Sequence, residues 1–316
     1  MLKIVKVSLL AILLAASTLT QAAQLSTDAR AAIPHDVQQL VVIDYRALQN
    51  STVAMDLRDR VIPSGLKQFD EVLTKSGLND NHDVDELAFA LLGSKESSDR
   101  AMTVGIAQGQ FPLKDILANF RTQKIKPAQV RANKLYPLAK TGMVVCFVDS
   151  STMVFGGFNA VKMALDSRDG MADSLLTNAP MMDAMKTVDT EPMWSILDEN
   201  GTQSMMKQVL GEAGSITDFE TVRKRLQASC YSMDFQHGVK FDLTLSTGDS
   251  IAAATLSSLL TAAVEMRKMS ASDEEKQALS ATTIDSDAGR LSIHFATTDG
   301  EFNSLLQSPL FQSMTH

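Results

Sequence analysis

The chain reads as an α+β protein built on antiparallel sheets with helices packed on one face. Three observations lead there. Short runs of alternating or β-branched residues recur between segments of helical spacing. Tight polar or glycine-bearing turns join many of these runs, so neighbouring strands fold back as hairpins. The order strand, helix, hairpin, helix occurs twice, over residues 38–121 and 191–269, which predicts two pseudo-repeated units. An apolar content of 45% with a mean hydropathy near zero fits a packed core and argues against disorder.

The elements follow in chain order. Gln39–Tyr45 alternates as a strand, and Thr52–Val61 and Gly65–Ser76 have helical spacing around Pro63, with Gly77 as a stop. Val84–Leu92 and Ala101–Gln108 form a hairpin across the polar turn Ser94–Asp99. Pro112 suits the first turn of a helix reaching Phe120. Strands are expected at 130–136, 142–148 and 152–155, with Asp149-Ser150-Ser151 as a turn. Helices are expected at 159–165 and at 174–188, the second interrupted near Pro180. In the last third, strand 191–197 precedes helix 203–210, ended by Gly211. A hairpin of 228–235 with 239–246 follows, turning at Gln236-His237-Gly238. Asp249 or Ser250 caps a long helix to Met269, and Ser272-Asp-Glu-Glu275 spells a capping box. A hairpin of 282–284 with 291–295 and a helix over 301–306 complete the reading.

The N-terminus carries a compartment signal. Lys3 and Lys6 precede an apolar run from Val7 to Ala16, and Thr20-Gln21-Ala22 supplies small residues at a cleavage position. The run is about half of what a helix needs to cross a bilayer. Residues 1–22 are therefore expected to be a secretory signal peptide, with no membrane span left after cleavage. An uncleaved anchor is the alternative. The expected location is extracytoplasmic, periplasmic or secreted. Residues 23–125 form an N-terminal α+β unit and 126–316 a strand-rich middle and C-terminal unit, either separate or continuous with the first. Without Lys3 and Lys6, 27 basic residues face 37 acidic ones, a formal charge of −10. Such a chain has no electrostatic case for nucleic acid or an anionic membrane surface. Export would permit a disulfide between the only two cysteines, Cys146 and Cys230, although two small buried hydrophobes in a sheet are the preferred reading.

Few residues point to chemistry. The cluster Asn79-Asp80-Asn81-His82-Asp83-Val84-Asp85-Glu86 is the densest group of oxygen ligands. Asp80, Asp83, Asp85 and Glu86 are accordingly the calcium candidates, although the EF-hand template fails at its glycine and its terminal glutamate. A solvated loop leading into a strand is the competing account. The five histidines (His35, His82, His237, His294, His316) show no metal-ligand spacing. Ser204-Met-Met-Lys207 stands without the companion motifs of Ser/Lys hydrolases, and no Gly-x-Ser-x-Gly elbow occurs. Phe155-Gly156-Gly157-Phe158 eases a strand-to-helix turn and lacks a dinucleotide or Walker fingerprint, so no cofactor is expected. The 17 methionines, including Met181, Met182, Met185, Met193, Met205 and Met206, suit gap-filling in a core better than Cu(I).

Three patterns stand out along the chain: Ser76-Gly77-Leu78 with Asp83-Val-Asp-Glu-Leu-Ala-Phe89, then Thr152–Asp166, and Ile284–Phe295 before a short acidic helix. They resemble patterns of exported bacterial proteins of unknown function, the DUF3352-like group among them. The resemblance spans most of the chain after residue 22. It implies an extracytoplasmic α+β scaffold and carries over no catalytic residues. The expectation is an exported, soluble, non-catalytic scaffold or binding protein with an unknown protein or small-molecule partner. The alternatives are a hydrolase-like enzyme assembled from distant loops, with Asp149 and Ser150 as candidates, or a calcium- or copper-binding protein.

Overall fold

The computed structural model describes residues 24–61, 67, 71, 73–75, 77–93, 102–138, 142–210 and 222–307. The expected signal segment, most of the helix expected at 65–76, the turn expected at 94–99, Gly211 and His316 lie outside these residues.

Twelve strands form one sheet. They are β1 (Val37–Asp44), β2 (Val84–Leu92), β3 (Met102–Gly109), β4 (Ala128–Val130), β5 (Asn133–Leu138), β6 (Met143–Phe147), β7 (Thr152–Gly157), β8 (Met193–Leu197), β9 (Leu226–Asp234), β10 (Val239–Thr247), β11 (Thr282–Asp287) and β12 (Arg290–Thr297). Their order is β11-β12-β10-β9-β8-β1-β2-β3-β7-β6-β5-β4, and each neighbouring pair is antiparallel. The described helices are α1 (Thr27–Ala31), α2 (Tyr45–Leu48), α3 (Thr52–Val61), α4 (Asp80–Asp83), α5 (Leu113–Thr122), α6 (Phe158–Arg168), α7 (Ala179–Met185), α8 (Glu199–Leu210), α9 (Ser250–Ser270), α10 (Asp273–Ser280) and α11 (Asp299–Leu306). The α+β class with antiparallel hairpins is as expected.

With β4 and β5 set aside, the sheet centre is the pair β1–β8. Outward from it run β2, β3, β7, β6 on one side and β9, β10, β12, β11 on the other. Each arm follows one chain order: strand, helical segment, hairpin, helix, hairpin, helix. The repeat therefore extends further than the sequence pattern, to residue 168 in the first arm and 306 in the second, with β4 and β5 added only to the first. No sheet boundary falls at residue 125, because β3 pairs with β7 across it.

Strand alternation decides what each face buries. The back face carries Leu40 and Val42 of β1, Ala88 and Ala90 of β2, Val104 and Ile106 of β3, Val154 of β7 and Trp194 of β8. These pack with Ala29 and Ile33 around α1, Val161 and Leu165 of α6, and Met181 and Met185 of α7. Along the first arm the front face is covered too, where Met153 and Phe155 meet Ile116 and Phe120 of α5. In the second arm the front face holds Leu245 and Leu291 against Leu256 and Leu260 of α9. Nearby, Val239 packs with Val53 and Ala54 of α3 and Phe302 and Leu306 of α11. Helices on one face thus describe β10–β12, whereas the first arm is covered on both. The cause lies in the last helix of each arm: α6 lies on the back face, α11 on the front. The back of β10–β12 is left to exposed polar side chains, Lys240, Asp242, Arg290, His294 and Asp285 among them.

Local differences from the sequence reading have local causes. The strand expected over 130–136 is two strands, because Arg131 adopts φ 53° and turns the chain. Helix α8 starts at Glu199, four residues before its apolar spacing does, because Asp198 Oδ1 accepts from Gly201 N at 2.7 Å. Pro180 sits in the first turn of α7, after a 3-10 turn at Leu175–Thr177.

Candidate functional site

Among the described residues the acidic cluster does not gather into a calcium site. Asp80–Asp83 form one helical turn, α4, rather than a loop, and β2 begins at Val84. From there alternation separates the carboxylates: Asp85 points to the front and Glu86 to the back. Asp83 turns onto its own helix, accepting from Asn79 N through Oδ2 at 2.7 Å and lying 2.9 Å from His82 Nδ1 through Oδ1. Asp85 pairs with Arg46 of α2. Among the described residues no group of three or more His, Cys, Asp or Glu side chains could hold a metal.

The cysteines are both free. Cys146 lies on β6 and Cys230 on β9, six strand steps apart along the sheet at about 4.8 Å each. Burial pushes the Cys146 thiol up to about 11, which keeps it neutral. The methionines also disperse. Met181 and Met185 fill the back core, Met206 the core under α9, and Met193 packs beside α3 and α11. They do not form a common thioether cluster.

Among the catalytic candidates, Asp149 and His294 have structural partners. Asp149 Oδ1 accepts from Ser151 N at 2.6 Å and from Ser151 Oγ at 2.8 Å, closing the β6–β7 turn. Ser204 and Lys207 are exposed on α8. His294 pairs with Asp242 on the open back of β10–β12. Gly156, at φ 142°, lets β7 approach β3, since a Cβ there would lie 2.8 Å from Thr103 O.

Two places stand out once the fold is built. The first is a buried polar pocket at one end of the back face. Glu86 is 1% exposed, and neither of its carboxyl oxygens has a hydrogen-bond partner. Across the strand pair it faces Asp44 of β1, itself buried, whose Oδ1 accepts from Ala47 N at 2.8 Å. On its other side it faces Gln108 of β3, whose Oε1 accepts from Ser26 N at the start of α1. Arg30 of α1 places a buried Nε there with no acceptor. Burial, and then the Asp44 charge, push the Glu86 carboxyl up to about 8, so it carries a proton at neutral pH. The signal was present in the sequence: Glu86 shares the parity of Ala88, Ala90 and Leu92, the buried side of β2.

The second place is the middle of the front face. On β1 and β2 the back residues are fully buried, while Val41, Ile43, Leu87, Phe89 and Leu91 on the front are half-buried. This apolar strip continues to Phe155, whose ring lies over Gly105 and meets Phe89 edge-on at 6.0 Å between centroids. Toward the second arm it meets a short polar ladder. Gln39 Nε2 donates to Ser195 Oγ at 3.3 Å and to Tyr231 Oη at 3.5 Å, across β1, β8 and β9. Burial raises the Tyr231 phenol above its ordinary range, so it stays a neutral donor and acceptor. An apolar surface with a few fixed polar groups is the usual make-up of a ligand site. A separate open groove of about 550 Å³ between α9 and the β11–β12 turn is lined mainly by short side chains such as Ser250, Ala254 and Ser258.

No family model matches the chain, and no curated protein matches it. Solved structures do share the fold. Crystal form III of TP0453 superposes with a TM-score of 0.54 at 10% identity, covering 89% of this chain and 98% of that one. Crystal form I of the same protein gives 0.52 at 12% identity, with the same coverage. At these identities the likeness concerns the fold alone. No helix among the described residues is long and apolar enough to cross a membrane.

Proposed function

We propose that this is an exported, non-catalytic binding protein that holds an apolar small molecule, or an apolar segment of a protein partner, on the front of the sheet. The observation that carries the reading is the half-buried strip of Val41, Leu87, Phe89 and Leu91 beside the Gln39–Ser195–Tyr231 ladder. Strands in a packed sheet usually bury such side chains, and a contiguous half-covered apolar area is characteristic of interaction sites. The ladder would supply orientation, as one donor–acceptor set in apolar surroundings. Export is supported by the charged, apolar and small-residue order of the first 22 residues.

The test uses anilinonaphthalene sulfonate as an apolar probe, added to the native protein. Saturable enhancement is expected in the wild type. In the double variant Val41→Gln/Phe89→Ser it should fall several-fold with an unchanged circular dichroism spectrum. No saturable enhancement in the wild type, or equal enhancement in a folded double variant, would remove the reading.

A further inference from the structure

We propose that Glu86 is a proton-operated latch for the N-terminal helix: with its carboxyl protonated α1 stays seated on β1–β3, and ionisation favours a state in which α1 lifts and water reaches the pocket. The geometry assembles this from every element around the group. Helix α1 lies over the ends of β1–β3 and brings Arg30, whose buried Nε lacks an acceptor. Strand β1 brings the Asp44 carboxylate, cross-strand from Glu86 on the same face. On β2 itself, Asp85 points the other way and is occupied by Arg46. Strand β3 brings only neutral Gln108, which is tied to the backbone of Ser26.

A carboxylate formed at Glu86 would be buried beside the Asp44 carboxylate with no hydrogen bond to either oxygen in the seated state; the Arg30 charge favours it, but burial and the Asp44 charge outweigh that attraction. Strands β1, β2 and β3 cannot yield, because each is paired on both sides. Helix α1 is five residues long and is held at its far end by Leu175 N to Ile33 O and by Asn178 Nδ2 to His35 O. It is the element whose departure hydrates the pocket without breaking the sheet. Any state with Glu86 in water binds the proton less tightly, so raising the pH favours it by linkage. The raised affinity of Glu86 for its proton agrees with this geometry.

Hydrogen exchange of the full chain tests the latch, with rates corrected for the intrinsic pH dependence of exchange. Between pH 6.5 and 8.5, peptides spanning residues 24–34 should lose more than about tenfold in protection, since each unit of linked titration is tenfold. Peptides from the middle of β2 and β3 should not change over the same range. In Glu86→Gln the α1 peptides should stay constant. Constant protection of α1 in the wild type, or the same loss in Glu86→Gln, would overturn the proposal. Should Glu86→Gln not fold, Asp44→Asn keeps the α2 cap and removes the facing charge. Its α1 loss should level off at lower pH than in the wild type, and an unchanged profile would refute the latch.

Discussion

Residue by residue, the chain departs most from ordinary packing at Glu86. A glutamate with an ordinary value of 4.5 and a folded value of about 8 binds its proton more tightly folded than unfolded. Its contribution to stability is therefore present in full below pH 4.5. It is lost as pH rises from 4.5 to 8, and constant above that. The loss is on the order of 5 kcal/mol, at 1.36 kcal/mol per unit. Urea unfolding of the wild type should show stability falling between pH 5 and 8.5. Glu86→Gln, which keeps the shape of the neutral acid, should lack that fall and be the more stable protein at pH 8.5. A wild-type fall that Glu86→Gln shares would place the titration elsewhere. The sequence drew attention to residues 79–86 but read their charges as one set. A strand's twofold alternation is the physical reason they are not one: Asp85 and Glu86 cannot share a face. The front strip was illegible for a different reason. Gln39, Ser195 and Tyr231 are far apart in the chain and meet only through the β1–β8–β9 register.

At the scale of elements, local chemistry was the most readable part of the chain. Ser272 accepts from Glu275 N and Glu275 reaches back to Ser272 N, the capping box the sequence spells. Asp249 caps α9 as expected, with Oδ1 accepting from Ala252 N at 2.7 Å. Element starts that rest on polar contacts were harder to see, such as α8 behind Asp198. So were places where one strand presses on the next. Gly109 is such a place: a Cβ there would lie 1.9 Å from the backbone oxygen of Asp83. Nothing in its neighbours marks it. Because the obstacle is backbone, Gly109→Ala must shift the start of β2 against β3, and it should cost about 1–3 kcal/mol. Gly142→Ala faces no close atom and serves as the comparison for space, although its φ of 71° strains any side chain. Denaturant midpoints of the two variants measure the difference, and a Gly109→Ala variant as stable as the wild type would contradict the packing.

Across the molecule, the expectation of two repeated units was legible because hairpin turns and helix stops recur in one order. Their joining was not, since it depends on β1 pairing with β8 and on α3 of the first arm packing with α11 of the second. Those long-range contacts tie the arms into one cooperative body. Calorimetry of the full chain should therefore give one transition with matching calorimetric and van't Hoff enthalpies, and two resolved transitions would contradict the shared sheet.

The width of that sheet has its own consequence. Any open sheet ends in two rims of unpaired backbone groups, and a rim can recruit a strand from another molecule. Here one rim is β4, only three residues long. The other is β11, where Asp285 and Asp287 stand exposed near the end of a six-residue strand. A second copy pairing parallel and in register onto β11 would set Asp285 against Asp285 and Asp287 against Asp287, and one adding at β4 would find almost nothing to pair with. Brevity at one border and charge at the other make this wide sheet a poor seed for fibrous growth.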